Sequence, residues 1–188
     1  SGLSATMARA DPRKLEAMAS SLRSPDRKTG AVAPAMDIEI VSVEPFRLLA
    51  VRNVGDYAEL NLGFGQLFNL VMEQITPDQI GDIYGVPHDD PRFIEPQDCR
   101  FDCALATGDA GIAMGDLHEL RLGGGSYARL RYFGDYDRLH ELIDLAYAET
   151  ITVIDREVGL TPLFIHYLDD PEETAEADLR ADIFLPVV

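Results

Sequence analysis

The sequence predicts an α+β domain built as two pseudo-symmetric halves, and three observations predict it. First, RNVGDYAEL beginning at Arg52 recurs as RYFGDYDRL beginning at Arg131, an offset of 79. Second, the flanks recur in the same order. Val41, Val43, Leu49 and Val51 fall on Leu120, Leu122, Ala128 and Leu130; HDDP ending at Pro91 falls on LDDP ending at Pro171; CRFDCAL from Cys99 falls on LRADIFL from Leu179, these last two at an offset of 80. Third, each copy carries alternating β-branched runs around one stretch of helical spacing. Such a duplication, limited to two copies, predicts a paired domain rather than a solenoid. The halves are read as residues 36–106 and 112–188.

Before the first copy, residues 1–35 form a basic leader. DPRKLEAMASSLRS reads as a short helix opened by Asp11 and Pro12, and PDRKTGAVAPA reads as linker. Limited proteolysis is expected to cut between Ser24 and Ala35 and to leave a folded remainder.

From Met36, MDIEIVSVEPFRLLAVRNV gives two strands broken at Glu44-Pro45. Leu60, Phe64, Leu67 and Val71 then stand at helical spacing. A short strand near DIYGV, the turn HDDP and the strand CRFDCALA complete the half. In the second copy GIAMGDLHELRL and SYARLRYF give strands, joined at Gly123–Gly125. The stretch from Asp135 reads as a helix with Leu139, Leu142, Ile143, Ala146, Ile151 and Ile154 inward, ending at Gly159. LFIHYLDDP and LRADIFLPV close the chain.

Composition narrows the function. Hydrophobic residues make up 46% of the 188, enough for a sizeable core. The net charge of −17 is uneven: Ser1 to Gly30 hold six Lys/Arg against three Asp/Glu, which leaves −20 for the rest. An acidic body repels a phosphate backbone, so the reading has no direct nucleic-acid binding by this chain. No apolar run is long enough to span a membrane and no secretory leader is recognisable, so a soluble, cytoplasmic protein is expected. Cys99 and Cys103, if on one strand, stand about 13 Å apart, beyond disulfide reach, and read as small buried side chains.

The polar motifs read as structural. Asp89, Asp90, Asp169 and Asp170 could supply oxygens to a metal, but Asp before Pro is ordinary turn chemistry, and turns are the better reading. Arg100, Asp102, Arg180 and Asp182 alternate with apolar residues, which predicts a solvated ladder on the face away from the core. Arg52 and Arg131 share the parity needed to pair with it. His88, His118, His140 and His166 show no metal spacing, no serine sits in a nucleophile elbow, and GFG at 63–65 is not a phosphate loop. No cofactor and no metal are expected.

SYARLRYFGDYDRL from Ser126, YLDDP from Tyr167, ADIFLPV near the end and YGVPHDDP in the first half together resemble the GyrI-like, or effector-binding, family of AraC-type and MerR-type multidrug-responsive regulators and of gyrase-inhibitory proteins. The resemblance spans nearly everything from Met36 to Val188. It implies duplicated β-β-α-β units, two helices on one face of an antiparallel sheet, and a ligand groove between the halves. It also allows a DNA-binding domain upstream, a hydrolase of reactive electrophilic compounds, or a stand-alone protein-interaction module. Two departures stand out. Many members carry a cation-binding glutamate where this chain has Ile165, and an aromatic where it has Pro87.

Within the implied groove, strand parity puts Leu163, Ile165 and Tyr167 on one face and repeat matching sets Gly85 and Pro87 opposite. A glycine facing an isoleucine is expected to leave room. Phe64 and Phe68 from the first helix and Tyr147 with Glu149 from the second are expected to wall that room. The ligand predicted is a small aromatic or amphipathic molecule, neutral or weakly polar, bound without catalysis.

Overall fold

The alternating run after Asp37 forms two strands, β1 (Ile38–Val43) and β2 (Phe46–Val54). They break at Glu44-Pro45, where proline offers no amide to a ladder. Helix α1 (Leu60–Met72), β3 (Ile83–Pro87) and β4 (Arg100–Ala106) follow. The second half repeats the plan with β5 (Leu117–Leu122), β6 (Gly125–Phe133), α2 (Leu139–Thr152), β7 (Phe164–Tyr167) and β8 (Arg180–Pro186). Each half thus has one strand more than a β-β-α-β unit. This computed structural model describes residues 37–152 and 154–188, apart from the side chains of His140, Leu142, Leu145 and Thr152. The leader and the inward placing of Leu142 lie outside the described residues.

All eight strands join one antiparallel sheet in the order β1-β6-β8-β7-β3-β4-β2-β5. The halves meet at β3 and β7, and they exchange first strands: β1 pairs with β6, and β5 with β2. Pairing keeps one register through both bends, from Ile38 opposite Leu130 to Val51 opposite Leu117. At the bend Gly123 and Gly124 adopt φ of 83° and 84°, a conformation natural to glycine. A side chain on Gly123 would overlap the Glu44 carbonyl, and the Gly124 amide donates to Val43 at 2.7 Å. Because β1 runs into β2 and β5 into β6, the two ends of the strand order are tied together and the sheet curls.

Both helices lie on one face. Helix α1 lays Phe64, Leu67, Phe68 and Val71 on Leu49, Val51, Ile83, Phe101, Cys103 and Leu105. Helix α2 lays Leu139 and Ala146 on Ala128, Leu130, Ile165, Ala181, Ile183 and Leu185. The opposite face, on which neither of the two described helices lies, is buried by the curl: Leu48, Ala50, Ala104, Tyr127 and Phe164 form a third cluster there. Phe164 stacks on Phe184 with ring centroids 4.6 Å apart.

That curl corrects the solvated ladder. Arg52 pairs with Asp102 at 2.5 and 3.2 Å and Arg131 with Asp182 at 2.5 and 3.0 Å, as parity predicts. The carboxylates, however, are 1% and 5% exposed, since their face of the sheet is itself an interior. A buried carboxylate needs such a forked partner.

The recurring motifs recur because they meet in space. Asp56 and Asp135 accept from the amides of Ala58 and Asp137, each at 3.0 Å, and open the turns that lead into α1 and α2. The Tyr57 hydroxyl lies 2.9 and 2.8 Å from the carbonyls of Asp89 and Arg100. Tyr136 lies 3.0 and 2.7 Å from those of Asp169 and Arg180. Arg100 forks Asp89 at 2.9 and 3.0 Å, and Arg180 forks Asp169 at 2.9 and 2.9 Å. Gly-Asp-Tyr, Asp-Asp-Pro and Arg-x-Asp are one clamp, present twice.

Three expectations are corrected. Helix α2 ends at Thr152, not Gly159, where a run of β-branched residues lowers helix propensity and Asp155 takes a φ of 54°. Ile151 is exposed and Thr150 is buried in its place. The strand expected from Gly111 begins only at Leu117.

Candidate functional site

At the seam Gly85 stands opposite Ile165 in the β3–β7 register. The expected room is absent: a Cβ on Gly85 would lie 2.9 Å from Cε1 of Phe101 and closer still to Cζ. Phe101 fills the glycine's space. In the second copy Ala181 matches Phe101 and Ile165 matches Gly85, so the bulk moves from one strand to its neighbour. Phe64 and Phe68 are also core, and Phe64 meets Phe101 edge-on with centroids 6.3 Å apart.

Tyr167 joins the two cores. Its ring lies 5.8 Å from Phe64 and 5.1 Å from Tyr136, both edge to face. Burial pushes its hydroxyl pKa up.

A cleft of about 360 Å³ opens between the halves, a size suited to a small organic molecule. Pro87, Ile143, Tyr147 and Leu163 supply apolar walls; the turn His88–Arg92 forms one side and Asp144 of α2 stands on the other. Repeat matching explains its position. Ile143 and Tyr147 hold the places that Phe64 and Phe68 hold on α1, and Pro87 holds the place of Tyr167. In the first half Tyr167 covers Phe64, and Phe68 is 2% exposed; in the second half Pro87 reaches less far, and Tyr147 is 38% exposed. The fold's symmetry makes two equivalent places; side-chain size fills one and leaves the other open.

The cleft is electrostatically organised. Arg100 holds the Asp89 carboxyl down to about 2 through its hydrogen bonds. Burial raises Asp102, but hydrogen bonds from His88 and Arg52 outweigh it and bring it to about 2. His88 Nε2 lies 2.7 Å from Asp102, so the imidazole lining the cleft is fixed from behind. Arg92 bonds Asp90 at 2.6 Å and Asp144 at 2.8 Å. Its hydrogen bonds lower the Asp90 pKa.

Of the predicted residues, Pro87 and Tyr147 line the cleft, together with Leu163. Phe64, Phe68, Gly85 and Ile165 lie in the core, Tyr167 lies between the cores, and Glu149 stands on α2 away from the lining. Sequence reasoning missed Ile143, Asp144 and Arg92 as lining. Asp144 and Tyr147 are three residues apart on one helix, a spacing that shares a face, and this was the available signal. Cys99 and Cys103 are free and buried, and burial pushes the Cys103 thiol up, which keeps it unreactive. Among the described residues no three metal-ligating side chains converge, and no helix is long and apolar enough to cross a membrane.

Comparison with known proteins places the fold. The family described as the GyrI-like small molecule binding domain matches residues 36–188. The probable transcriptional regulator YgiV of Escherichia coli K12 is 24% identical over 119 residues, covering 60% of this chain and 71% of YgiV. The structure of EcmrR in complex with DNA superposes with a TM-score of 0.68 at 14% identity, over 95% of this chain and 66% of EcmrR. SAV2435 bound to tetraphenylphosphonium superposes with a TM-score of 0.53 at 15% identity, over 81% and 93%.

Proposed function

The chain belongs to the GyrI-like small-molecule-binding family, and we propose that it is a cytoplasmic, non-catalytic sensor whose ligand, an aromatic or amphipathic molecule, binds between the first Asp-Asp-Pro turn and α2. The observation that carries this reading is the unequal filling of two equivalent places. Where Tyr167 closes one, Pro87 leaves the other open and exposes Tyr147. Tyr147 offers a flat face, Ile143, Leu163 and Pro87 offer apolar contact, and His88 with the two rim carboxylates offers a few polar points, the usual make-up of a small-molecule site.

In this reading Pro87 and Tyr147 touch the ligand. Phe64, Phe68, Gly85, Ile165 and Tyr167 shape the cleft from behind, and Glu149 is at most a distant charge. The relatives' names support a regulatory setting, in which ligand binding would be passed to a DNA-binding domain rather than to DNA by this chain.

A thermal-shift screen of aromatic compounds on the whole chain tests the proposal. A binder at 100 times its dissociation constant should add about 2.7 kcal/mol of stability. Tyr147→Ala should weaken any such binder at least tenfold. Binders whose affinity that change leaves untouched would place the ligand elsewhere.

A further inference from the structure

We propose that Arg92 is a built-in counter-cation that sets the charge of the ligand the cleft accepts, an inference that rests on the cleft being the ligand site. Arg92 belongs to the turn of the first half, yet it reaches Asp144 on α2 of the second at 2.8 Å while still holding Asp90 at 2.6 Å. Its guanidinium also lies 5.4 Å from the ring of Phe93. The side chain therefore bridges the rim of the cleft from one half to the other.

The titratable groups lining the cleft are those of His88, Asp89, Asp90, Arg92 and Asp144. Asp89 is already matched by Arg100, and His88 is turned onto Asp102. That leaves two carboxylates and one guanidinium at the rim. With Arg92 in place both rim carboxylates are paired and one guanidinium halves their charge; without it two bare carboxylates would stand beside the ring of Tyr147, an arrangement that attracts a cation by charge and by the ring face.

The second copy shows that this bridge belongs to the open side alone. Glu172 stands at the position of Arg92, and the Asp170 Oδ2 has no partner among the described residues. The bridge is also exchangeable. Arg92, Asp90 and Asp144 have side chains 59%, 35% and 42% exposed, and ion pairs so exposed hold weakly. A neutral ligand enters beneath Arg92, whereas a cationic one must compete with it for the same two carboxylates.

The test uses the whole chain and two probes of equal size and shape, phenyltrimethylammonium and its neutral isostere tert-butylbenzene. The wild type should bind the neutral probe at least as tightly as the cation. Arg92→Gln should bind the cation at least tenfold more tightly than wild type at low salt, about 1.4 kcal/mol, with the neutral probe within twofold and the gain lost at high salt. The double variant Arg92→Gln, Asp144→Asn should lose that gain, which ties it to the carboxylate.

Unchanged cation affinity in Arg92→Gln, with the neutral probe still bound, overturns the role of Arg92 and leaves the cleft standing as a site. A wild type that already prefers the cation tenfold overturns it equally. Binding of neither probe to any of the three proteins overturns the cleft as a site for small aromatics, and this inference with it.

Discussion

Phe101 sets the edge of its ring against the Cα of Gly85, within the volume that any side chain at that position would need. Gly85→Ala should therefore destabilise the protein by about 1–3 kcal/mol through overpacking. Phe101→Ala should relieve that added cost, so that the double variant is less unstable than the two single losses added together. Urea unfolding measures all three. Strict additivity would show that Phe101 is not what excludes a side chain from Gly85.

The equivalent aromatics on the two helices should behave differently. Phe68→Ala removes a buried ring and should cost about 3–5 kcal/mol. Tyr147→Ala removes a partly exposed one and should cost far less stability while weakening ligand binding. Equal losses of stability in the two variants would show that Tyr147 is core and that the cleft is not open.

Thr150 is fully buried, and its hydroxyl has no hydrogen-bond partner among the described residues. The matching residue of the first copy is Val71, which is buried in the first core. Thr150→Val keeps the shape and removes an unsatisfied oxygen, so it should raise stability by about 1 kcal/mol. A loss of stability on denaturation would reveal a bond that the hydroxyl makes.

Stability should fall in acid over a defined window. Asp89 and Asp102 are held at about 2 in the folded protein, below the roughly 3.9 of an unfolded aspartate. Their contribution is present above about pH 4 and is lost as pH falls toward 2, because the unfolded chain takes up protons first. Asp102→Asn should be less stable at pH 7 and should lose less between pH 4 and pH 2. Parallel acid curves for variant and wild type would show that Asp102 carries none of this dependence.

Much of the fold was legible because a duplicated sequence gives each weak signal twice. Gly-Asp-Tyr, Asp-Asp-Pro and Arg-x-Asp marked both halves, and the parity of Arg52 against Asp102 predicted their pairing. Strand parity could not reveal the curl, which depends on two bends brought together by long-range pairing, so Asp102 and Asp182 were expected in solvent and are buried. At the site, repeat matching found the facing pair Gly85 and Ile165 but not Phe101, whose ring comes from the next strand. Comparing the copies residue by residue, Pro87 against Tyr167 and Arg92 against Glu172, locates the open side better than a search for aromatics. Ile151 was misplaced because it was chosen for its apolar side chain, whereas Thr150, four residues after Ala146, holds the inward position on that face.

The exchange of first strands has a consequence for how such a chain is made and how it arose. Strand β1 leaves the ribosome before β6 and finds its partner only once residues 125–130 have followed. Neither half can finish its own sheet, and folding must await a contact some ninety residues away in sequence, which slows it. A half-length ancestor would have met the same demand by lending its first strand to a second copy of itself. On this account the present chain corresponds to a swapped homodimer fused end to end, in which the copies can differ: the tyrosine of the second copy closes the place on the first helix, while the proline of the first copy leaves the place on the second helix open.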